Sequence, residues 1–413
     1  MIKKNAAARW TAILASSVLL CGCTAGSTQT GTEQQSGVVG AASAELTPAP
    51  PSVARTVIGQ VLTVEALPFP EPSEAALPAS RQQELQQVLD AAVRDSSRVP
   101  GVSAAVLTAD GAWAGAAGVD GAGAALVPDA MTDIGSVTKT FTAAEVVNLA
   151  RQGRIDLDAP VSDYLDHPLL AREPSVRQLL SHTSGIPDFV TTDFVDALDA
   201  DPTRSWTAAQ ALEFATDPPS QPGPPTWSYS NSNYLLLGLL IEKVTGVPYA
   251  AAVRRDLLPG LGERIVVQDD ESPIAPVAAP NLTGTPVVAD GMFLPNRAWS
   301  SAAGAAGGIA ADAATLARWG YRLYGGRILD AASTVDLTIP VAGGYGLGTE
   351  IQEYRWNETG GAVGHHGGLP GYATVLRVDP ELPVAVAVLV PGDPGPDLDK
   401  MAKDLLAKIR TGS

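Results

Sequence analysis

Apolar and polar positions along the chain predict ordered structure from about residue 80 onwards. Val88 and Val93 follow Ser80 at spacings typical of a helix, and Ser80 is a favourable N-cap. The runs 101–108 and 112–119 are largely apolar, and an Ala-Asp-Gly turn separates them. This pattern predicts a helix followed by a β-hairpin.

The C-terminal part repeats this arrangement in the opposite order. Apolar runs over 373–378 and 384–390 flank an Asp-Pro-Glu turn, which predicts a second hairpin. A segment over about 396–409 then has the spacing of a closing helix.

Two apolar helices are predicted between the hairpins. One starts near Ser136 and ends near Gly153. Its apolar stripe consists of Phe141, Ala144, Val147 and Ala150. The other covers 235–244, is apolar on most faces and therefore buried, and has Gly246 as its stop.

Several intervening segments have weaker patterns. Asp, Pro, Ser and Gly predominate around 198–225 and indicate loops. The segment 299–308 opens a helix with Asp312 near its start. Its glycines do not form the G-x-G-x-x-G pattern after a strand, so a dinucleotide site is not expected.

The first 22 residues have the pattern of an export signal. Lys3, Lys4 and Arg9 precede a short apolar run. The Leu-Cys-Gly-Cys sequence that ends it resembles a bacterial lipobox, which implies cleavage before Cys23 and lipidation of its thiol. The alternative is an ordinary secretory signal. Either way we expect the protein outside the cytoplasm, on the outer face of the cell membrane or secreted.

The segment 23–80 is rich in Ser, Thr, Gly and Pro and predicts a flexible tether before a domain over 81–413. The chain has two cysteines, both at or before Cys23, so the domain has no disulfide. The formal net charge is −17, and loss of the signal's three cations leaves about −20. This charge disfavours nucleic acid as a partner.

The sequence Ser136-Val137-Thr138-Lys139 carries the candidate chemistry. Residues three apart on a helix share a face, so the hydroxyl and the amine can converge. Burial of the apolar stripe would carry Lys139 into a poorly solvated place and lower its pKa. A neutral amine beside a serine is a general base beside a nucleophile. The alternative is an accidental match with a solvated lysine.

Two further polar segments are candidates for the same site. The residues 227–234 precede the second buried helix, where a tyrosine hydroxyl and an asparagine amide could be held against a substrate or could cap the helix. His182, in a turn after a short helix, is either a base or, as we favour, a residue that holds a loop.

The adjacent pair His365 and His366 suggests a metal at first. On a strand, however, adjacent side chains point to opposite faces. Only two other histidines occur in the chain, and no H-E-x-x-H sequence is present. We therefore expect neither a metal site nor a cofactor.

Three patterns, Ser136-Val137-Thr138-Lys139, Tyr229-Ser230-Asn231 and His365-His366-Gly367, occur in that order. Together they resemble the active-site motifs of penicillin-recognising serine hydrolases, the superfamily of class C β-lactamases, D-alanyl-D-alanine carboxypeptidases and related esterases. The resemblance extends from about residue 101 to the end and includes Leu180–Pro187 and Trp299–Asp312. It is greatest to the D-Ala-D-Ala carboxypeptidases.

The resemblance implies an α+β fold. An antiparallel sheet flanked by the N- and C-terminal helices would pack against a mostly helical subdomain over roughly 140–300. The site would lie in the cleft between them, and the protein is expected to be a monomer.

The resemblance also implies roles for individual residues. Ser136 would form an acyl-enzyme, with Lys139 and Tyr229 moving protons. Asn231 would orient the substrate amide, and the backbone N–H groups of Ser136 and Gly368 would form the oxyanion hole. The other residues implied in substrate binding are Trp299, His365, His366 and Gly367.

One departure from the family pattern concerns the third motif. His366 occupies the position of a Thr or Ser whose hydroxyl helps to bind a substrate carboxylate. Carboxylate recognition would then need protonated His366 or an arginine such as Arg355. An esterase or other amidase is therefore an alternative to a carboxypeptidase. A class C-like β-lactamase is a further enzyme alternative, and a lipid-anchored penicillin or peptidoglycan sensor is the alternative without turnover.

Overall fold

The computed structural model describes residues 62–201, 203–216, 226–262, 264–267, 278–280, 294–352, 361–395 and 397–410. The expectations for the signal peptide, Cys23 and Arg355 therefore lie outside the described residues. So does the part of the predicted tether before residue 62.

The described residues form eleven α-helices and nine β-strands. The helices are α1 (Ala79–Asp95), α2 (Thr138–Arg151), α3 (Val176–Leu180), α4 (Thr192–Ala200), α5 (Ala208–Leu212), α6 (Asn231–Thr245), α7 (Tyr249–Asp256), α8 (Leu294–Gly307), α9 (Ala313–Tyr324), α10 (Ala331–Leu337) and α11 (Asp397–Arg410). The strands are β1 (Gly101–Thr108), β2 (Ala112–Gly118), β3 (Thr132–Asp133), β4 (Ile265–Val267), β5 (Ile309–Ala311), β6 (Glu350–Gln352), β7 (Ala362–Leu369), β8 (Tyr372–Asp379) and β9 (Val384–Val390).

The main sheet is antiparallel and has six strands in the order β2-β1-β9-β8-β7-β6. The two predicted hairpins are thus joined in one sheet by pairing of β1 with β9. A small sheet with the order β3-β5-β4 lies apart from it. The predicted α+β fold is confirmed.

Helices cover both faces of the main sheet. On one face, α1 and α11 pack against the strands through residues such as Leu89, Val388 and Leu405. On the other face, α9 packs through Trp319 against residues that include Ala387. Burial on both faces explains why β1 and β9 are apolar at nearly every position.

The helical region centres on α2 and α6, which are buried over most of their length. Both pack against α8. Gly246 ends α6 in the left-handed conformation with φ of 76°, as predicted for a C-terminal stop. Among the described helices, none alone is long and apolar enough to cross a bilayer, and α6 with α7 reaches that length only across a 74° bend.

Three expectations differ from the structure. Pro78, rather than Ser80, is the N-cap of α1. The predicted loop region 198–225 contains α5, which starts with a capping box between Thr207 and Gln210. The segment 299–308 forms the C-terminal part of α8, which ends at Gly307, rather than the start of a helix, and Asp312 caps the next helix, α9, by accepting a hydrogen bond from the Thr315 N–H.

The predicted tether, 23–80, also includes residues that pack into the domain. Leu62 and Phe69 are 0% and 1% exposed, and both belong to the core. The packed domain therefore includes residues from 62 onwards rather than from 81. The Pro-rich composition of this segment concealed its two buried side chains.

Candidate active site

The nucleophile candidate lies in a tight turn at the start of α2. Ser136 occupies a 3₁₀ turn, Gly135–Val137, and is half-buried. Gly135 has φ of 51°, and a Cβ there would lie 2.5 Å from the backbone nitrogen of Gly368. Only glycine combines this backbone angle with such a close approach. The turn therefore places Ser136 directly beside β7.

Lys139 is fully buried beside this serine. Its Nζ lies 3.0 Å from Ser136 Oγ, 2.8 Å from Asn231 Oδ1 and 2.8 Å from the Ala306 carbonyl oxygen. Burial lowers the pKa of Lys139 to about 7, although the charges of Asp188 and Glu350 act in the opposite direction. The predicted position of a buried amine beside the serine is confirmed.

Tyr229 completes a group of three around the hydroxyl. Its ring centroid is 4.9 Å from Lys139 Nζ, and its phenol hydrogen-bonds with Ser136. Burial raises the pKa of Tyr229 well above its usual value, so the phenol keeps its proton at neutral pH. Of the three groups, Lys139 is therefore the one that can act as a base near pH 7.

Asn231 holds the amine in place. Its Oδ1 accepts from Lys139, and its Nδ2 donates to Asp188 Oδ2 at 2.8 Å. The bond to Asp188 fixes the orientation of the amide, so that its oxygen faces Lys139. Asn231 was expected to orient a substrate amide, whereas the contacts in this structure join it to Lys139 and Asp188.

The two adjacent histidines of β7 have different surroundings. His365 is buried, its Nε2 lies 2.8 Å from the Tyr345 hydroxyl, and its ring centroid is 6.5 Å from that of Tyr229. Burial lowers the pKa of His365 to about 4, so it is neutral at physiological pH. His365 is therefore a neutral hydrogen-bonding residue close to Tyr229.

His366 instead contacts acidic groups beside α11. Its Nδ1 lies 2.6 Å from Glu350 Oε2, and its Nε2 lies 2.9 Å from Asp399 Oδ2. Burial and Arg377 lower the pKa of His366, but the two carboxylates outweigh them and raise it above its usual value. We call His366, Arg377, Glu350 and Asp399 the ionic cluster. His366 is engaged within it and does not line the pocket at Ser136.

The glycines of the third motif allow β7 to approach the nucleophile. A Cβ at Gly367 would lie 1.9 Å from the Ile134 carbonyl oxygen and 3.2 Å from the Ser136 nitrogen. Gly368 follows it and lines the same pocket as Ser136. Trp299, from α8, also lines this pocket.

His182 holds the second motif, as we favoured from the sequence. Its Nδ1 accepts a hydrogen bond from the Ser230 N–H at 3.2 Å and lies 3.3 Å from Asn233 Nδ2. Burial and the charge of Lys139 keep the pKa of His182 well below its usual value. It is a neutral acceptor for the backbone.

Sequence reasoning missed Asp188, Tyr345 and Glu350. Asp188 directly follows the Leu180–Pro187 turn, so its position beside a motif was the only available signal. Tyr345 and Glu350 lie in a segment without a motif, and only the pairing of β6 with β7 brings Glu350 to His366.

The fold and this site define the class of penicillin-recognising serine hydrolases, in which a serine and a lysine three residues apart act together. The family described as "Beta-lactamase" matches residues 85–411. The chain therefore belongs to the β-lactamase family.

Known proteins of this kind resemble the chain over most of its length. Penicillin-binding protein 4 of Amycolatopsis lactamdurans is 30% identical over 330 residues, which cover 73% of this chain and 83% of that protein. The D-amino acid amidase of Ochrobactrum anthropi SV3, solved with L-phenylalanine amide, has a TM-score of 0.69 and 25% identity over 81% of this chain and 99% of its own. A D-stereospecific amidohydrolase from Streptomyces sp. has a TM-score of 0.66 and 30% identity over 80% and 99% of the two chains.

Proposed function

We propose that the protein hydrolyses amide bonds of D-amino acid derivatives through an acyl-enzyme on Ser136. The observation that carries this proposal is the position of Lys139, a buried amine with a pKa of about 7 at 3.0 Å from the serine hydroxyl. An amine with this pKa is about half neutral at pH 7, and its neutral form can accept the serine proton. A lysine in solvent could not do so.

The contacts suggest a complete proton path. Ser136 Oγ attacks the substrate carbonyl carbon while its proton passes to Lys139. Tyr229, which keeps its phenolic proton, donates it to the leaving nitrogen as the C–N bond breaks, and its phenolate then regains a proton from the Lys139 ammonium, whose Nζ lies 4.9 Å from the ring centroid. The backbone N–H groups of Ser136 and Gly368 are the proposed donors to the oxyanion. Water then hydrolyses the ester by the same groups in reverse.

The substrate class follows from the third motif and from the relatives. His366 is engaged with Glu350 and Asp399, so its ring is not available to a substrate carboxylate. This favours substrates without a terminal carboxylate, such as amino acid amides, over D-Ala-D-Ala peptides. The similarity to a D-amino acid amidase and to a D-stereospecific amidohydrolase supports the D configuration.

A D-Ala-D-Ala carboxypeptidase is the second candidate, because a penicillin-binding protein is 30% identical to the chain. Parallel assays of D-amino acid amides, D-Ala-D-Ala peptides, p-nitrophenyl esters and cephalosporins separate the candidates. We expect the highest kcat/KM for the amides. A permanent adduct with fluorescent penicillin and no turnover of any substrate would favour the sensor.

The substitution Ser136→Ala tests the nucleophile. We expect it to abolish both hydrolysis and the penicillin adduct, because no other group replaces the attacking oxygen. Ser80→Ala, at an exposed position in the first turn of α1, is the matched control and should retain full activity. Unchanged hydrolysis in Ser136→Ala would refute the proposal.

The location is a separate proposal. Export and attachment of a lipid to Cys23 are supported by the signal-like N-terminus and the lipobox resemblance. Metabolic labelling with a fatty acid should mark the wild-type protein and not Cys23→Ser. Labelling of both forms would rule out Cys23 as the lipidated residue.

A further inference from the structure

We infer that the pocket beside Ser136 selects substrates whose acyl group carries a bulky apolar side chain, such as leucine or phenylalanine derivatives. This inference rests on the proposed function, and it adds which substrates of that class the site prefers. It is carried by the residues that line the pocket and by the packing behind them.

The pocket is apolar apart from the reacting groups. Ser136, Asn231 and Gly368 line it at the reaction centre, so a bound group lies next to the scissile carbonyl. The other lining residues are Phe189, Val190, Phe194, Trp299, Ala303, Ala306, Gly307 and Leu369. None of these residues carries a charge. A charged substrate side chain would therefore lose its hydration here without gaining a partner.

Aromatic packing makes one wall of the pocket rigid. Phe194 lies at the centre of a ring cluster, with centroid distances of 4.9 Å to Phe189 and 6.0 Å to Trp299. Trp206 and Phe214 pack behind it at 5.6 and 5.4 Å. All four contacts are edge-to-face, a favourable arrangement for aromatic pairs.

The ring cluster contains a large share of the phenylalanines in the chain. The chain has six phenylalanines, and three of them, Phe189, Phe194 and Phe214, belong to this cluster. A wall of interlocked rings changes shape little when a ligand binds. An apolar ligand can thus bury its surface without a cost of rearranging the wall.

A series of D-amino acid amides with the same leaving group tests the preference in the wild-type protein. We expect kcat/KM to rise by about tenfold or more from D-alanine amide to D-leucine or D-phenylalanine amide, because one methylene in an apolar pocket changes it by about 10–200-fold. D-Glutamate and D-lysine amides should react more slowly than D-leucine amide.

Ala303→Leu fills the pocket and gives a second test. Ala303 is 9% exposed and lies on its α8 wall. We expect kcat/KM to fall by about tenfold more for D-phenylalanine amide than for D-alanine amide, because the added side chain takes the space of the larger group. Ala209→Leu, the same change at an exposed position of α5, is the control and should alter neither.

The outcomes separate the two proposals. If Ser136-dependent hydrolysis occurs but D-alanine amide reacts as fast as the larger amides, the pocket inference is wrong and the proposed function stands. If no member of the series reacts, both are wrong. Equal losses for large and small amides in Ala303→Leu would also contradict the pocket inference.

A second inference, carried by different contacts, is that His182 is a positioning residue for Tyr229. The backbone carbonyl of His182 accepts from the Ser228 N–H at 2.9 Å, and its Nδ1 accepts from the Ser230 N–H at 3.2 Å. Its ring centroid lies 4.3 Å from that of Tyr229. One histidine thus bonds to the residues on both sides of the phenol and packs on its ring.

The backbone of His182 supports this role. Its φ of 57° lies in the left-handed region, which is unfavourable for a residue with a side chain. Such a conformation persists only where the surrounding contacts hold it, and it occurs preferentially at functional sites. In this conformation, the backbone carbonyl and the ring of His182 both contact the short segment 228–230.

Two substitutions separate positioning from mere stability. His182→Phe keeps a ring but removes the acceptor and the tolerance for positive φ. His182→Asn keeps an acceptor and tolerates this backbone. We expect kcat to fall by about tenfold or more in His182→Phe with KM little changed, and His182→Asn to recover most of the loss.

The control removes a comparable contact elsewhere. His167 accepts from the Leu169 N–H, so His167→Phe also loses a histidine acceptor for a backbone group. It should leave kcat unchanged. Wild-type kcat per folded molecule in His182→Phe, with only a lower melting temperature, would show a purely structural role. Equal losses in His182→Phe and His182→Asn would likewise contradict the inference.

Discussion

At the scale of single residues, the chemistry of the site depends on how the surroundings of each group determine whether it is protonated. Lys139 and His365 are buried and Tyr229 is half-buried, and this shielding from water favours the neutral form of each. Lys139 and His365 thereby become weaker bases, whereas Tyr229 keeps its proton. The same physical cause thus yields a base and a proton donor on either side of one serine.

This protonation pattern predicts the acidic limb of the pH profile. Lys139 must be neutral to accept the serine proton, so activity should rise with pH and level off above about 7. Below that pH, kcat/KM should fall about tenfold per pH unit. An acidic limb with its midpoint near the usual pKa of lysine would show that the amine is not the base, or that it is not buried.

A variant tests the cause of the limb. The negative charge of Asp188 raises the pKa of Lys139, so Asp188→Asn should lower this pKa and move the acidic limb to lower pH. Asp193→Asn, at an exposed position of α4, is the control and should leave the limb in place. A shift of the Asp188→Asn limb to higher pH would contradict this account.

Sequence patterns predicted part of this residue-scale arrangement. The spacing of Ser136 and Lys139 predicted their contact, because three residues on a helix is a fixed geometry. Asp188 and Glu350 could not be predicted, because they reach the site through a turn and a strand register that local patterns do not determine. Strand alternation predicted that His366 points to the opposite face of the strand from His365. It could not predict the partner of His366, Asp399, which lies on a distant helix.

At the scale of elements, the site depends on how closely β7 approaches the turn before α2. A Cβ on Gly135 would meet the Gly368 backbone, and a Cβ on Gly367 would meet the Ile134 backbone, so no side chain fits on either glycine without moving one element. The sequence predicted both elements from their apolar patterns. It could not predict their contact, since more than two hundred residues separate them.

This approach makes Gly367 sensitive to the smallest substitution. In Gly367→Ala the new Cβ would lie 1.9 Å from the Ile134 carbonyl oxygen, so β7 must shift away from Ser136. A shift of about 1 Å can cost about 100-fold in rate, and we expect a loss of this size in kcat.

Gly392→Ala is a suitable control for this prediction. Its Cβ would lie 3.3 Å from the Pro100 side chain and 3.6 Å from the Val390 side chain, so we expect nearly normal kcat. Circular dichroism should show a folded protein for both variants. Normal activity in Gly367→Ala would mean that the close approach is not needed.

At the scale of the whole molecule, the domain begins earlier than its composition indicates. Phe69 packs edge-to-face on Tyr321 at 5.5 Å, and its N–H donates to the Gly325 carbonyl oxygen. Hydrophobic periodicity could not reveal this segment, because it has no long helix or strand to give a repeating pattern. Tertiary packing alone orders it.

Phe69→Ala tests whether this segment stabilises the domain. Removal of a fully buried phenylalanine side chain costs about 3–5 kcal/mol, so we expect a lower free energy of unfolding by about that amount. Val64→Ala, at a position 48% exposed, should change it by less than about 0.5 kcal/mol. Denaturant titration measures both, and equal effects would show that the segment is not part of the cooperative unit.

The pairing of β1 with β9 has a consequence for biosynthesis. The ribosome makes the nucleophile and its lysine early, but the strand that supplies Gly368 and the strand that completes the sheet around β1 come last. Contacts between such distant parts of a chain form slowly, because a large loop must close first. A nascent or truncated chain that lacks its final quarter should therefore carry an intact serine and lysine and yet cleave nothing.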